Sequence, residues 1–489
     1  VKAFPAGVSS FVRKPSRLPM PDIAKILHVV LLVAVVLISF NLIIFVHELG
    51  HFLAAKWRGL KVERFQIWFG RPIWKKEIGG VQYGLGWIPA GGFVALPQMA
   101  PMEAIEGGNK AAALLPPIKP LDKIIVAFAG PLFSLLLALL AATIVWKIGK
   151  PADLMPSQVI GLVEKDSPGE KAGLKVGDKI LKVNGKDVHA FRGRLDSIFE
   201  QIILSEGNDI VFTVERPGEP QPLTLTSTFE IDATKWYQRR ALRRVGIGPE
   251  VTSVQAVAVM PGSPAEKAGV KSGDILRSID GQAIGNSSMF VDLIKSAGTR
   301  PLVLEYERDG KLLTATVQAL VPVSPAGLNP MIGIESDDNV YIDETMQHPG
   351  PWQQVQDSLE TMWMTISKLV SPKSNIGLDH LSGPIGIGMV KYAMLEMDYP
   401  LNRLLGFFVL FNVNLAVFNL LPLPVLDGGH ITLAVAESIA RRPVRARFLE
   451  WLQTGFALLL MSLMLYVTSK DIGDRFGGRK NEPIVFPQS

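Results

Sequence analysis

The chain has 489 residues, with 50 Lys and Arg against 45 Asp and Glu, a formal net charge of +5, 48% hydrophobic residues and no cysteine. That length exceeds the roughly 150 residues typical of one domain. The missing thiols exclude disulfides, thiolate catalysis and cysteine metal sites, and the positive charges do not gather as a nucleic-acid site requires.

The apolar residues are bunched into four runs, at 29–46, 124–146, 404–426 and 448–467. Crossing a bilayer takes about 20 mostly apolar residues. Four such charge-poor runs do not suit buried helices of a soluble core, so the chain is expected to be a polytopic α-helical membrane protein. Basic residues crowd between runs one and two, from Lys56 to Lys123, and between runs three and four, at Arg441, Arg442, Arg445 and Arg447. Basic loops stay on the inner side, which puts the long 150–400 segment outside. The N-terminus then also lies outside, although Arg13, Lys14, Arg17 and Lys25 precede the first run. The conflict eases if translation starts at Met20. A cleaved signal peptide is a weaker alternative, since no small-residue cleavage site follows the run.

The expected order is an N-terminal arm (1–22), a first span (23–56), an inner-side membrane-associated β-region (57–120) and a second span (121–148). Two outer units follow (157–230 and 245–322), then a linker and amphipathic-helix region (323–400). A third span (401–430), a fourth (446–468) and a tail (469–489) complete the chain.

The first span ends in "HELGH", with His47, Glu48 and His51. Four residues apart on a helix, the imidazoles share one face and can reach a single ion, with Glu48 beside them. This is the helical zinc-protease pattern H-E-x-x-H, and ionisable side chains inside a span are functional by default. Between spans one and two, "VERFQIWFG" and "VQYGLGW" alternate as short strands do. Such strands must pair or be buried beside lipid, and an open edge would accept a substrate strand.

The outer segment repeats itself: "DSPGEKAGLKVGDKILKVNGKDV" (166–188) aligns without gaps on "GSPAEKAGVKSGDILRSIDGQAI" (262–284). Tandem domains follow, and each resembles the PDZ domains of bacterial envelope proteases. Such domains bind peptide chain ends by strand addition or act here as spacers and size filters. "VPVSPAGLNP" (321–330) and "ESDDN" (335–339) read as a linker. Trp352, Val355, Leu359, Met362, Trp363, Ile366 and Val370 form one amphipathic face.

A catalytic zinc takes three protein ligands, and the third span ends in "NLLPLPVLDGGH" at the same depth as the histidines. Asp427 and His430 are both open as the third ligand on these grounds. Pro422 and Pro424 break the helix and expose backbone that must face protein or a wet cavity.

"HELGH", the tandem PDZ-like units, "LSGPIGI" (381–387) and "NLLPLPVLDGGH" together resemble the site-2 protease family of intramembrane zinc proteases, over about residues 23–470. The resemblance implies Zn2+ held by His47, His51 and Asp427, with Glu48 as catalytic base and His430 as a neighbour. It implies that Asn419, and more weakly Asn414, contacts substrate. It also implies that Gly91, Gly92, Phe93 and Val94 form the substrate-engaging edge of a sheet over 60–98. Family relatives often carry an Asn shortly after the Gly-Pro of span two, where this chain has Ser134. The implied substrates are single-pass membrane proteins, above all an anti-sigma factor already trimmed on its outer side, and remnant signal peptides. The implied location is a bacterial inner membrane, with the PDZ units periplasmic and the site toward the cytoplasm. The rivals are a catalytically silent membrane PDZ scaffold and a zinc transporter.

Overall fold

The structure, a computed structural model, describes residues 22–99, 118–325, 327–441, 446–476 and 484–487. The arm with Arg13, Lys14, Arg17 and Met20 lies outside the described residues, as do Arg442 and Arg445.

Helix α1 (Asp22–Trp57) is apolar enough to cross a membrane over Ile26–Trp57. Strands β1 (Arg64–Ile78) and β2 (Val81–Ala95) follow, joined at Gly79 and Gly80, whose φ values of 59° and 74° suit a tight turn. Both strands fold back on themselves. Residues 64–67 pair with 82–85 on one side and with 92–95 on the other, while 74–77 pair with 82–85. The hairpin is thus a four-segment sheet with 92–95 as an edge that is free among the described residues. Its inner face packs Phe65 and Val94 against Phe52 of α1 and Val126 of helix α2 (Pro120–Ile148).

Strand β3 (Lys150–Pro151) leads to the first outer unit. Its order is β4 (Ile160–Val163), α3 (Pro168–Lys171), β5 (Lys179–Val183), β6 (Lys186–Asp187), α4 (Ile198–Leu204), β7 (Asp209–Glu215), β8 (Leu223–Thr228) and β9 (Ile247–Pro249). The second unit repeats that order with β10 (Val251–Val259), α5 (Pro264–Lys267), β11 (Ile275–Ile279), β12 (Gln282–Ala283), α6 (Ser287–Ala297), β13 (Pro301–Arg308), β14 (Lys311–Gln318) and β15 (Ile334–Val340). The sequence repeat has a local cause in both. Ser167 and Ser263 each accept a hydrogen bond from the N–H three residues on, at 3.2 Å. Glu170 and Glu266 reach back to the N–H of Asp166 and Gly262, at 2.6 Å, a reciprocal capping arrangement. The buried carboxylates of the two Gly-Asp turns, Asp178 and Asp274, each take two hydrogen bonds from one arginine, Arg216 and Arg308.

Two expected boundaries are corrected. The second unit does not begin at 245: β9 pairs with β4, and Val245 packs in the first unit's core. Nor is 335–339 a linker, because β15 pairs with β10 along its length. The acidic residues that suggested a linker lie on an edge strand, where outward charges are ordinary.

The two connections to the outer units are zipped together. β3 pairs with β16 (Met346–Gln347), and Leu154 bridges Asp343. Next come α7 (Pro351–Val370), a short turn at Leu378–His380, α8 (Pro384–Glu396) and α9 (Pro400–Asn419). Arg403, near the start of α9, ion-pairs with Asp153, lies 3.3 Å from Glu344 and donates to Asp398 O at 2.7 Å. The apolar stripe expected along α7 is buried along one margin and exposed along the other. Val355 and Met362 are buried, Val355 in a core with Ile43 of α1, Ala142 of α2 and Phe408 of α9, while Trp352, Leu359, Trp363 and Val370 are exposed. Small residues such as Ala138, Ala141 and Ala142 let these helices approach closely.

The expected third span is also corrected. Helix α9 stops at Asn419, and Asp427 begins a separate helix, α10 (Asp427–Ala440). Pro422 and Pro424 lack N–H groups and disfavour helical geometry before them. The loop folds over the start of α10: a Cβ on Gly428 would lie 2.2 Å from Leu420 O, and one on Gly429 2.1 Å from Leu423 O. Finally, α11 (Ala446–Phe476) carries the fourth membrane-length stretch, Trp451–Asp474. It runs past the expected end at 468, so the tail is not a separate element from 469. Residues 484–487 lie back on the second outer unit, where Val485 pairs with Ser324.

Candidate metal centre

His47 lies about 32 Å along α1 from Ile26 at about 1.5 Å per residue, near the far edge of a hydrocarbon layer about 30 Å thick. The two imidazoles of α1 face α2, and their Nε2 atoms are 3.3 Å apart. The first turn of α10 brings Asp427 to them, with Oδ2 3.3 Å from His47 Nε2 and Oδ1 3.3 Å from His51 Nε2. One donor atom from each residue lies within 4.8 Å of the others.

The outer ring nitrogens are held from α2. His51 Nδ1 lies 2.8 Å from Val126 O. A carbonyl can only accept, so this nitrogen carries the proton and Nε2 of the neutral ring offers its lone pair. His47 Nδ1 meets the fully buried Ser134 Oγ at 3.0 Å. Glycines make the approach possible. A Cβ on Gly50 would stand 2.4 Å from Ala129 O, and one on Gly130 2.2 Å from His51 Nε2.

These residues fit a metal ion. The Nε2 atoms of both imidazoles and a carboxylate face one another, and Asp427 Oδ2 is buried without a hydrogen-bond partner. Leaving such a carboxylate oxygen buried and unpaired is costly, and a divalent cation removes that cost.

The cluster opens onto a cavity of about 320 Å³. Glu48 lines it, as do Gly91, Gly92, Phe93 and Val94 of the free sheet edge, Asn419 at the end of α9, and His430. A Cβ on Gly92 would lie 3.2 Å from Glu48 Cγ, so the edge runs beside the acid. Gly91 has φ 68°, and Phe69 fills the place a side chain would need. Asn414 does not line the cavity. Five residues before Asn419, it sits about 140° round the helix at 3.6 residues per turn, and its Oδ1 is buried without a partner. Sequence reasoning left Ser134 without a role and overlooked Val126, Gly50 and Gly130. Paired small residues on adjacent spans were the available signal for the glycines.

Membrane-length helices, one carrying H-E-x-x-H beside an aspartate from another part of the chain, define a membrane metalloprotease. The sequence profile of Peptidase family M50 matches residues 35–463. Protease RseP of Yersinia pestis is 30% identical over 458 residues, 88% of this chain and 96% of that one. Regulator of sigma-E protease RseP of Escherichia coli K12 is 28% identical over 452 residues, 88% and 95% of the respective chains. A protein of Neisseria meningitidis provisionally named a zinc metalloprotease is 30% identical over 439 residues, 87% and 95%. The PDZ domain of an SdrC-like protein from Listeria monocytogenes matches 18% of this chain and 92% of its own at 27% identity, with a TM-score of 0.17, too low to bear on the fold. The chain belongs to Peptidase family M50, and it is a zinc metalloprotease of the membrane.

Proposed function

We propose that the protein is an intramembrane endopeptidase that cuts single-pass membrane proteins within or beside their spans. The observation that carries this reading is one cavity shared by the metal-ligand cluster, Glu48 and a free strand edge. His47, His51 and Asp427 would hold zinc. When bound, zinc lowers the pKa of water toward about 7 and polarises a carbonyl. The Glu48 carboxylate accepts the proton of the attacking water and later delivers it to the departing amine. The side-chain N–H of Asn419 donates to the carbonyl oxygen as negative charge builds there. Residues 91–94 pair with the substrate backbone, which must leave its helix for the scissile carbonyl to be reached.

By likeness to relatives named for sigma-E regulation, the natural substrate is an anti-sigma factor already trimmed outside, and remnant signal peptides are further candidates. The outer units are read as two PDZ domains on the periplasmic side of an inner membrane, where they exclude bulky outer domains or bind newly made chain ends. The site then faces the cytoplasmic side.

The test compares wild type with Glu48→Gln on a single-span substrate lacking its outer domain, with zinc content measured alongside. The expected result is cleavage by wild type alone and equal zinc in both. Equal cleavage by both proteins removes Glu48 from the reaction and points to a contaminating protease, whereas no cleavage by a zinc-loaded wild type refutes the reading and favours a silent scaffold.

A further inference from the structure

Beyond the last membrane-length helix, the chain returns to the second outer unit. Val323 N–H donates to Val485 O at 2.7 Å, and Val485 N–H donates to Ser324 O at 2.9 Å, an antiparallel pairing. Val485 is 48% exposed, while Phe486 beside it is 5% exposed, the in-and-out alternation of a strand. The ring tip of Phe486 lies 3.0 Å from where a Cβ on Gly333 would stand. Gly333 itself has φ 80° and packs on Ser263, so a bare backbone floors the pocket.

The first unit provides a comparison within the chain. Gly246, also at φ 80°, packs on Ser167 in the same way, with Glu164 as its next neighbour where Phe486 stands in the second unit. The fold of a unit therefore does not require the aromatic ring. Phe486 is a guest on the second unit, attached by two backbone hydrogen bonds and one side chain. That is strand addition with a single anchor, and any extended segment with the same residue pattern could reproduce it.

We propose that Val323–Ser324 and the Gly333 floor form a peptide-docking site on the second unit, held by residues 484–487 as a tethered ligand. The class of competing ligand is an extended segment with a β-branched residue followed by Phe on another polypeptide. The site is separate from the edge of β15 that faces away from β10. A contact this small persists because a short tether supplies an effective concentration on the order of millimolar. A competitor must match that concentration or be held nearby by another part of the protein.

Because the chain has no cysteine, Ser324→Cys with Val485→Cys in the full-length protein gives a clean cross-linking pair. Mild oxidation should join them. About 5 mM of the peptide NEPIVFPQS should slow that reaction about fivefold, and NEPIVAPQS should not. Failure to cross-link, or a rate indifferent to NEPIVFPQS, overturns the proposal. Independently, full-length Phe486→Ala should bind fluorescein-labelled NEPIVFPQS at least about tenfold more tightly than wild type, whose site is already held. Equal binding, or none by either protein, overturns it as well.

Discussion

Gly130→Ala should disable the metal centre without replacing a ligand. The new methyl would lie 2.2 Å from His51 Nε2, 2.5 Å from Cε1 and 2.8 Å from Cδ2, where ordinary contact starts at 3.4 Å. The ring must therefore retreat by about 1 Å, several times the tolerance of about 0.2 Å on a metal–ligand distance. Retreat from α2 also stretches the 2.8 Å contact with Val126 O to about 3.8 Å, beyond hydrogen-bonding reach. Both the position and the tautomer of His51 are lost together. A misplacement of this size costs roughly 100-fold in rate, and zinc affinity should fall with it. Helix propensity acts the other way, since alanine favours α2 by up to about 1 kcal/mol over glycine. A drop in activity would thus not reflect a weakened helix. The assay is zinc content and chelator competition on purified protein, with cleavage of a single-span substrate. Gly455→Ala, with no atom within 4 Å of the added carbon, is the matched control. Wild-type zinc affinity and cleavage in Gly130→Ala would refute the reasoning.

Ser134→Ala removes the partner of His47 Nδ1 and should weaken zinc binding about 10- to 100-fold, with restoration by Ser134→Asn or Ser134→Thr; unchanged affinity assigns Ser134 to packing alone. Asp427→Ala should abolish cleavage and His430→Ala should keep most of it, and the reverse pattern would make His430 the third ligand. Deleting residues 157–340 should permit cutting of substrates with intact outer domains, whereas unchanged selectivity argues against a filter. The fourth concerns pH. Burial alone would raise the pKa of Asp379, but hydrogen bonds from the Arg240 guanidinium and backbone N–H outweigh it and hold the carboxyl well below the usual range. A depressed folded pKa gives stability that is present above the unfolded value of about 3.9 and lost as pH falls through the folded one. Thermal unfolding followed by tryptophan fluorescence should therefore show Asp379→Asn below wild type at pH 7, with the gap closing under strong acid. A gap independent of pH would point to packing instead.

The parts legible in the sequence were those whose chemistry is local. H-E-x-x-H states its own geometry on one helix, and the Ser-x-x-Glu and Gly-Asp steps of the outer repeat carry their capping and turn contacts within a few residues. What was misread required neighbours distant along the chain. A hydropathy run cannot see that Pro422 and Pro424 stop α9 at Asn419 and that Asp427 opens another helix. The acidic "ESDDN" has the composition of a linker until β10 is known to lie beside it. Ser134 looked like a departure from a family pattern, and only the packing of α1 on α2 shows it meeting His47. Asn414 shares a helix with Asn419, but the five residues between them, 1.4 turns, place it on another face, away from the cavity.

The doubled neck of β3 and β16 bears on how such a protein can diversify. Entry and exit of the outer segment stand about 5 Å apart, as paired strands do, and Arg403 fastens both to the top of α9 through Asp153 and Glu344. The stem is one of several ties, because Arg239 also pairs with Asp471 and Asp474 of α11, Arg240 with Asp379, and Lys368 with Glu206. The outer segment's length and content can change only while those ties are kept or replaced, since α11 and the turn at 378–380 hold residues 236–240 directly. Lineages that lose or exchange a unit must also replace the partners of Asp471 and Asp474 on α11. A foreign domain grafted at residues 152 and 345 would leave Asp471, buried against Arg239, without its arginine.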